Sequence, residues 1–320
     1  MFAKRIDAST GWPRGLASFG AFHRAEVILL GLLAVLLATC ILVAALRGQA
    51  VAWSSFAPAI GMSLMLVAVG LYARVVKSAE RLSLGVIGLG VFMAFTGTVS
   101  ILAYTIFPFV NPMIDHHLIA WDAALGFSWL GFVDFMAGYP LLSRALGYVY
   151  MSSLPQIVAV IALLAWLNRT VALHRFLIVG FVLMFVTLSI WTLFPSIGPT
   201  GYLMVPAEVQ AKIGLVTTNE VGAVLLRWAY EGNAVITADI VTGVVAFPSF
   251  HIGMACMVAW FCLRTPACVP ALVLNALMVP ATIVQGGHHL VDILAGIAAF
   301  GLCLWVTCGI VPRPKPVAAG

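Results

Sequence analysis

Eight long apolar runs organise the chain: 26–46, 57–76, 82–106, 145–166, 173–194, 249–263, 267–285 and 288–311. Short stretches of charge, glycine and proline separate them. Most approach the ~20 residues that a helix, rising about 1.5 Å per residue, needs to cross about 30 Å of hydrocarbon. None shows the ten-residue alternation of a membrane barrel strand. The pattern predicts an all-α, polytopic helical membrane protein of about eight spans. Two segments, 107–144 and 195–248, are too polar and too broken to cross, and read as long loops. The Trp- and Phe-rich piece 113–144 suits a lipid–water interface, and Val221–Tyr230 reads as a short interfacial helix.

Composition turns this pattern into an exclusion. Of the 320 residues, 63% are hydrophobic and 8% charged, with mean hydropathy +1.11, whereas soluble domains carry about 25% charged residues. An ordinary cytosolic protein is excluded. The net charge of +5 points to no nucleic-acid partner here, because its meaning lies in where the charges fall. With the N-terminus inside, the inner segments carry Lys4, Arg5, Arg14, Arg24, Arg74, Lys77, Arg81, Arg169, Arg175, Arg264, Arg313 and Lys315; the outer segments carry only Arg47, Arg144, Lys212 and Arg227. That asymmetry predicts both termini inside and both long loops outside. The expected division is a cytoplasmic segment 1–25, a three-helix membrane part 26–106, a membrane core 107–311 and a cytoplasmic tail 312–320. No small-residue cleavage site follows the first run, so it reads as a span rather than a signal peptide. The six cysteines form no CxxC pair and read as small buried hydrophobes.

Candidate chemistry concentrates at two places. AFPSFHIGM (246–254) opens the sixth run, and QGGHHLVDILAG (285–296) opens the eighth. Both runs start at the outer face, so His251 and His288 reach the same level. His288 and Asp292 are four apart, the spacing that stacks side chains on one helix face. A carboxylate there accepts an imidazole N–H and stabilises the imidazolium formed in reaction. Helix N-termini bind anions, so two such ends are expected to converge on one phosphate. Gly286 and Gly287 allow close backbone approach, and Ser249 is an N-cap or hydroxyl donor. A single interfacial histidine is ordinarily just polar; Asp292, one turn into an apolar span, shifts the balance to function.

These two motifs resemble the type 2 phosphatidate phosphatase superfamily of membrane lipid phosphatases and phosphotransferases, and more closely its branch of inositol phosphorylceramide synthases and their bacterial relatives. WDAALGF (121–127), YVYMSSLPQ (148–156), FPSIGPTGY (194–202) and LLRWAYEG (225–232) support the likeness over about 105–300. The resemblance implies that His288 is the nucleophile that takes the phosphoryl group, Asp292 its orienting carboxylate, His251 the general acid and base, and Ser249 a phosphate-holding hydroxyl, with Gly287 beside them. It also implies departures. The Lys-x6-Arg-Pro motif of the phosphatases is missing, Ala281 and Thr282 stand where they have Ser-Arg, and Phe250 replaces a glycine. The phosphate-binding cations are therefore sought among the outer basic residues, Arg227 first, then Arg144 and Lys212.

The expected activity is a lipid phosphotransferase or lipid phosphate phosphatase at the outer leaflet, in a bacterial inner membrane with the site on the periplasmic side. It would act without metal or other cofactor on a lipid substrate and, for transfer, a lipid or polyol acceptor such as ceramide. A non-catalytic lipid-binding or transport protein of the same fold is the reading from another class; it calls for polar residues at mid-membrane and related halves, and neither is evident. Asp115, His116 and His117 are weaker, metal-type candidates. Tyr150 and Gln156 either line the pocket or join helices, and His23 and His174 fall on the inner side.

Overall fold

The computed structural model describes residues 21–310, together with the two-residue strands Ile6–Asp7, Trp12–Pro13 and Ser18–Phe19. Lys4, Arg5, Arg14 and the expected tail 312–320 lie outside the described residues. Within them the chain forms thirteen α-helices: α1 Arg24–Leu46, α2 Trp53–Val75, α3 Glu80–Thr105, α4 Asp115–Ala124, α5 Trp129–Ala137, α6 Pro140–Met151, α7 Ser153–Trp166, α8 Thr170–Leu193, α9 Ala207–Ile213, α10 Asn219–Glu231, α11 Phe250–Cys262, α12 Cys268–Val284 and α13 Leu290–Ile310. Helices α1, α2, α3, α8 and α13 are each long and apolar enough to span a bilayer. The protein is an all-α integral membrane protein.

The expected span 145–166 needs correction. It is not one rod: α6 and α7 meet at 50°. Pro155 has no N–H with which to continue the α6 ladder. At the joint, Ser152 and Ser153 turn their hydroxyls back onto the carbonyls of Val149 (2.6 Å) and Tyr150 (2.8 Å). The segment 113–144 likewise holds two helices, α4 and α5, bent by 72°. The predicted interfacial helix is present as α10, with Thr218 as N-cap. Helices α11 and α12, at 13 and 17 residues, extend only about 20 and 26 Å.

A hairpin of α2 and α3 packs beside α1, and α3 joins this group to α7 and α8; α8 in turn contacts α11 and α13. At the end opposite the histidine motifs, Arg74 bridges Glu26 (2.7 and 2.9 Å) and Glu80 (3.0 Å), with His23 on Glu80 and His174 on Glu26. This partly buried charge network ties α1, α2, α3 and α8 together, and it accounts for both of those histidines. At the motif end Arg47 donates to the carbonyls of Ile106 (2.7 Å) and Pro108 (2.6 Å). Ala50–Val51 pairs in parallel with Val235–Ile236, and the Tyr104 hydroxyl donates to Ile240 O at 2.6 Å. The first three helices are thus fastened to the segment that leads into AFPSFHIGM.

Candidate active site

Three helix mouths meet at one place. Helix α11 starts at Phe250 behind its N-cap Ser249, whose hydroxyl oxygen accepts from Ile252 N–H at 3.5 Å. The Ser249 N–H donates to the carbonyl of Asp292 at 3.1 Å, so the start of α11 is tied directly to the first turn of α13. This brings the rings of His251 and His288 to 6.2 Å between centroids. Tyr150, at the end of α6, stacks on His251 at 4.4 Å and 26°. A Cβ at Gly286 would come within 2.6 Å of the Tyr150 ring, so a residue without a side chain is required there.

His288 Nδ1 lies 3.1 Å from Asp292 Oδ2, with the histidine 3% exposed and the aspartate fully buried. The expected pair is therefore present, although its geometry differs from the expectation. His288 sits in the turn before α13 rather than on a helix face. Asp292, in the first turn, reaches back and also accepts the His289 N–H at 2.9 Å, the N3-to-N-cap half of a capping box. That leaves His288 Nε2 as the nitrogen available for chemistry.

The expectation that the α13 N-terminus receives phosphate needs correction as well. Its free amides are already taken by the protein's own carboxylate: Leu290 N–H and Val291 N–H donate to the two oxygens of Asp122, each at 3.0 Å. Asp122 comes from α4, about 170 residues earlier in the chain. The same aspartate lies 3.3 Å from His289 Nδ1. One turn pair away on α4, Asp115 accepts from Ser196 Oγ (2.9 Å), Gly198 N–H (2.9 Å) and Ile197 N–H (3.2 Å), and its Oδ1 is 3.9 Å from His289 Nε2. Burial pushes the Asp115 carboxyl up to about 6, against the pull of the Ser196 hydroxyl, the His289 charge and the two amides. Gly198, at φ +85°, packs on the Gly287 carbonyl so closely that no Cβ fits. The loop after α8 thereby presses on the residue immediately before His288.

Other groups complete the surroundings. Gln285 is fully buried and accepts the Val216 N–H (3.0 Å) while donating to Ser143 O (2.7 Å), locking the turn to α6 and to the loop after α9. The Thr200 hydroxyl is buried, has no hydrogen-bond partner among the described residues, and lies against Gly287. Of the candidates named from sequence, His251, Ser249, Gly287, His288 and Asp292 are brought together. Arg144 instead places its guanidinium on the carbonyls of Lys212 (3.2 Å) and Ala211 (3.3 Å) at the end of α9, and Lys212 and Arg227 are exposed on α9 and α10. His116 lines a cavity of about 300 Å³ with Phe109, Met113, Tyr202 and Tyr230, while Asp115 is buried on Ser196.

Sequence reasoning did not single out His289, Asp122, Gln285 or Thr200, and it weighed Asp115 only as a weak metal-type candidate. One signal was available: Asp115 and Asp122 are seven apart, so on a helix they share a face, and both are buried. Comparison with curated proteins gives no match, and comparison with solved structures gives none either. A family model described as PAP2 superfamily matches residues 116–306, which is more than half of the chain and holds His251, His288, Asp292, Asp122 and His289. The chain belongs to the PAP2 superfamily, a phosphatase-type family of enzymes that handle lipid phosphates.

Proposed function

We propose that this protein cleaves or transfers a lipid-linked phosphate through a phosphohistidine formed on His288. The observation that carries the reading is the joint placement of His288 on Asp292 (3.1 Å) with a second histidine ring 6.2 Å away. Neutral His288 keeps its Nδ1–H on Asp292 and attacks phosphorus with Nε2. His251 gives a proton to the departing oxygen, and then takes one from the incoming hydroxyl or water as that oxygen displaces the histidine. The mechanism requires opposite protonation states of the two rings, and imidazole is the side chain whose ordinary pKa lies near neutral pH. Ser249 keeps its own hydroxyl proton for a phosphate oxygen, since Ile252 N–H uses only its acceptor side. The Gly287 turn, with Thr200 against it, adds the next polar groups. Exposed Arg227 is the first candidate for attracting the anionic head group, and Arg144 and Lys212 follow.

The basic-residue asymmetry favours a site on the outer leaflet, periplasmic in a bacterial inner membrane. Loss of the Lys-x6-Arg-Pro motif and the presence of Phe250 favour the phosphotransferase of phosphorylceramide-synthase type over hydrolysis. Incubating the purified protein with labelled phospholipids, prenyl phosphates and ceramide tests this. Product formation and a trapped acid-labile phosphoenzyme are expected, both abolished in His288→Ala. Full turnover by that variant would sink the mechanism. Release of free phosphate without any lipid acceptor would instead select the phosphatase reading.

A further inference from the structure

The residue after the proposed nucleophile is itself an unusual histidine. His289 is 1% exposed, and carboxylates approach it from both sides: Asp122 Oδ2 at 3.3 Å from Nδ1 and Asp115 Oδ1 at 3.9 Å from Nε2. Among the described residues Nε2 has no closer partner. The charged groups facing it are Asp115 and Asp122 from α4 and Asp292 from α13. A ring with N–H groups on both nitrogens serves both α4 carboxylates; a neutral ring turns a bare lone pair toward one of these negatively charged groups in a buried setting, which is costly.

Each of those carboxylates holds a different part of the site. Asp122 binds the first two amides of α13, just after His288, and Asp115 binds the 196–198 loop, whose Gly198 presses on Gly287, just before His288. We propose that His289 is a positioning residue: as a buried imidazolium between Asp115 and Asp122, it clamps the turn on both sides of His288 and so fixes the direction of His288 Nε2. Asp292 sets the rotation of the His288 ring, and His289 sets where its backbone stands. The inference rests on the phosphohistidine reading of His288, and it adds a third histidine to the machinery without giving it contact with substrate.

The test uses the full-length protein in detergent micelles, with orthovanadate as the probe, because vanadate bonded to a histidine imitates the phosphoryl group in transfer and such analogues report transition-state fit. Vanadate affinity is measured by calorimetry beside the thermal midpoint for wild type, His288→Ala, His289→Asn and Asp115→Asn. Misplacement of a reacting group by about 1 Å costs on the order of 100-fold. His289→Asn is therefore expected to weaken vanadate ~10- to 100-fold while the midpoint falls only modestly, and nitrogen NMR of the wild-type ring is expected to show both nitrogens protonated at neutral pH. Asp115→Asn keeps the histidine and removes one carboxylate; it is expected to weaken vanadate less, and it carries the test if His289→Asn does not fold. Wild-type affinity in a folded His289→Asn or Asp115→Asn, with affinity lost in His288→Ala, overturns the positioning role alone. Unchanged affinity in His288→Ala overturns the phosphohistidine reading and the positioning role with it.

Discussion

His288 and His289 are neighbours in sequence, are both buried, and each lies within 3.3 Å of an aspartate oxygen, yet they belong to different orders of structure. His288 meets Asp292 within one helical turn, so a single helix start creates the pair. His289 meets Asp122 and Asp115 only because α4, from the far side of the sequence, lies against α13. In the first pair one nitrogen is left over for chemistry. In the second, both nitrogens face carboxylates, and those carboxylates also hold the loop and helix that frame the site. A histidine with a spare nitrogen suits reaction; one with neither spare suits the holding of its neighbour.

The sharpest way to break this comparison is to replace each aspartate by its amide. One oxygen, Asp292 Oδ2, meets both His288 Nδ1 and the His289 N–H, so Asp292→Asn with its amide oxygen in that place keeps both contacts and the helix start survives. The neutral amide, however, no longer holds the Nδ1–H tautomer or stabilises the imidazolium as a carboxylate does. Turnover is expected to fall by on the order of 10³- to 10⁴-fold, as removal of such an orienting carboxylate does elsewhere, with the thermal midpoint nearly unchanged. Asp122→Asn should do the reverse in emphasis. Leaving a buried imidazolium without its partner costs about 3–5 kcal/mol, read as a marked fall in midpoint, while turnover drops by tens rather than thousands. If Asp122→Asn proves the more damaging to turnover at equal stability, the assignment of roles is wrong.

The same contrast explains what could be read from the chain. Apolar runs and the bias of Arg and Lys were enough for the helical membrane class, because lipid demands about twenty apolar residues per crossing. The trio His251, His288 and Asp292 was legible because its geometry is local to two helix starts. The break at Ser152 was not, since the hydrophobic pattern runs through it undisturbed and Pro155 is tolerated in membrane helices. Nor was the fate of the α13 N-terminus. A sequence shows that a helix begins, and therefore that amides are free, but it does not show which anion arrives. Here the anion is Asp122, supplied by a segment read only as interfacial.

Acid titration sharpens the α4 side of the comparison at lower cost to the protein. In the folded chain the Asp115 carboxyl titrates at about 6, above its unfolded value of 3.8. Between these two values the folded state binds the extra proton, so stability is greatest below about 4 and declines as pH rises through about 6. The thermal midpoint of wild type should therefore carry a downward slope across pH 4–6 that Asp115→Asn flattens. An unchanged slope in that variant would mean that Asp115 ionises without cost, and that the hydrogen bonds from Ser196, Ile197 and Gly198 offset its burial fully.

The smallest effect belongs to the third mouth, where α6 meets the site. Tyr150 contributes a ring that stacks on His251 and a hydroxyl that bonds to Thr217. The ring is what sets the plane of the proposed general acid; the hydroxyl only secures the ring from behind. Tyr150→Phe keeps the stack and should change turnover by no more than about threefold, the equivalent of a neutral hydrogen bond worth roughly 0.5–1 kcal/mol. Tyr150→Leu removes the flat face, lets the imidazole turn, and should cost about tenfold or more, since orientation errors at a proton donor act directly on the rate. Steady-state kinetics with a lipid whose leaving group already departs easily provides the check. With such a leaving group the Tyr150→Leu defect should shrink, because less proton donation from His251 is needed. A defect of equal size with good and poor leaving groups would show that Tyr150 serves packing rather than the acid.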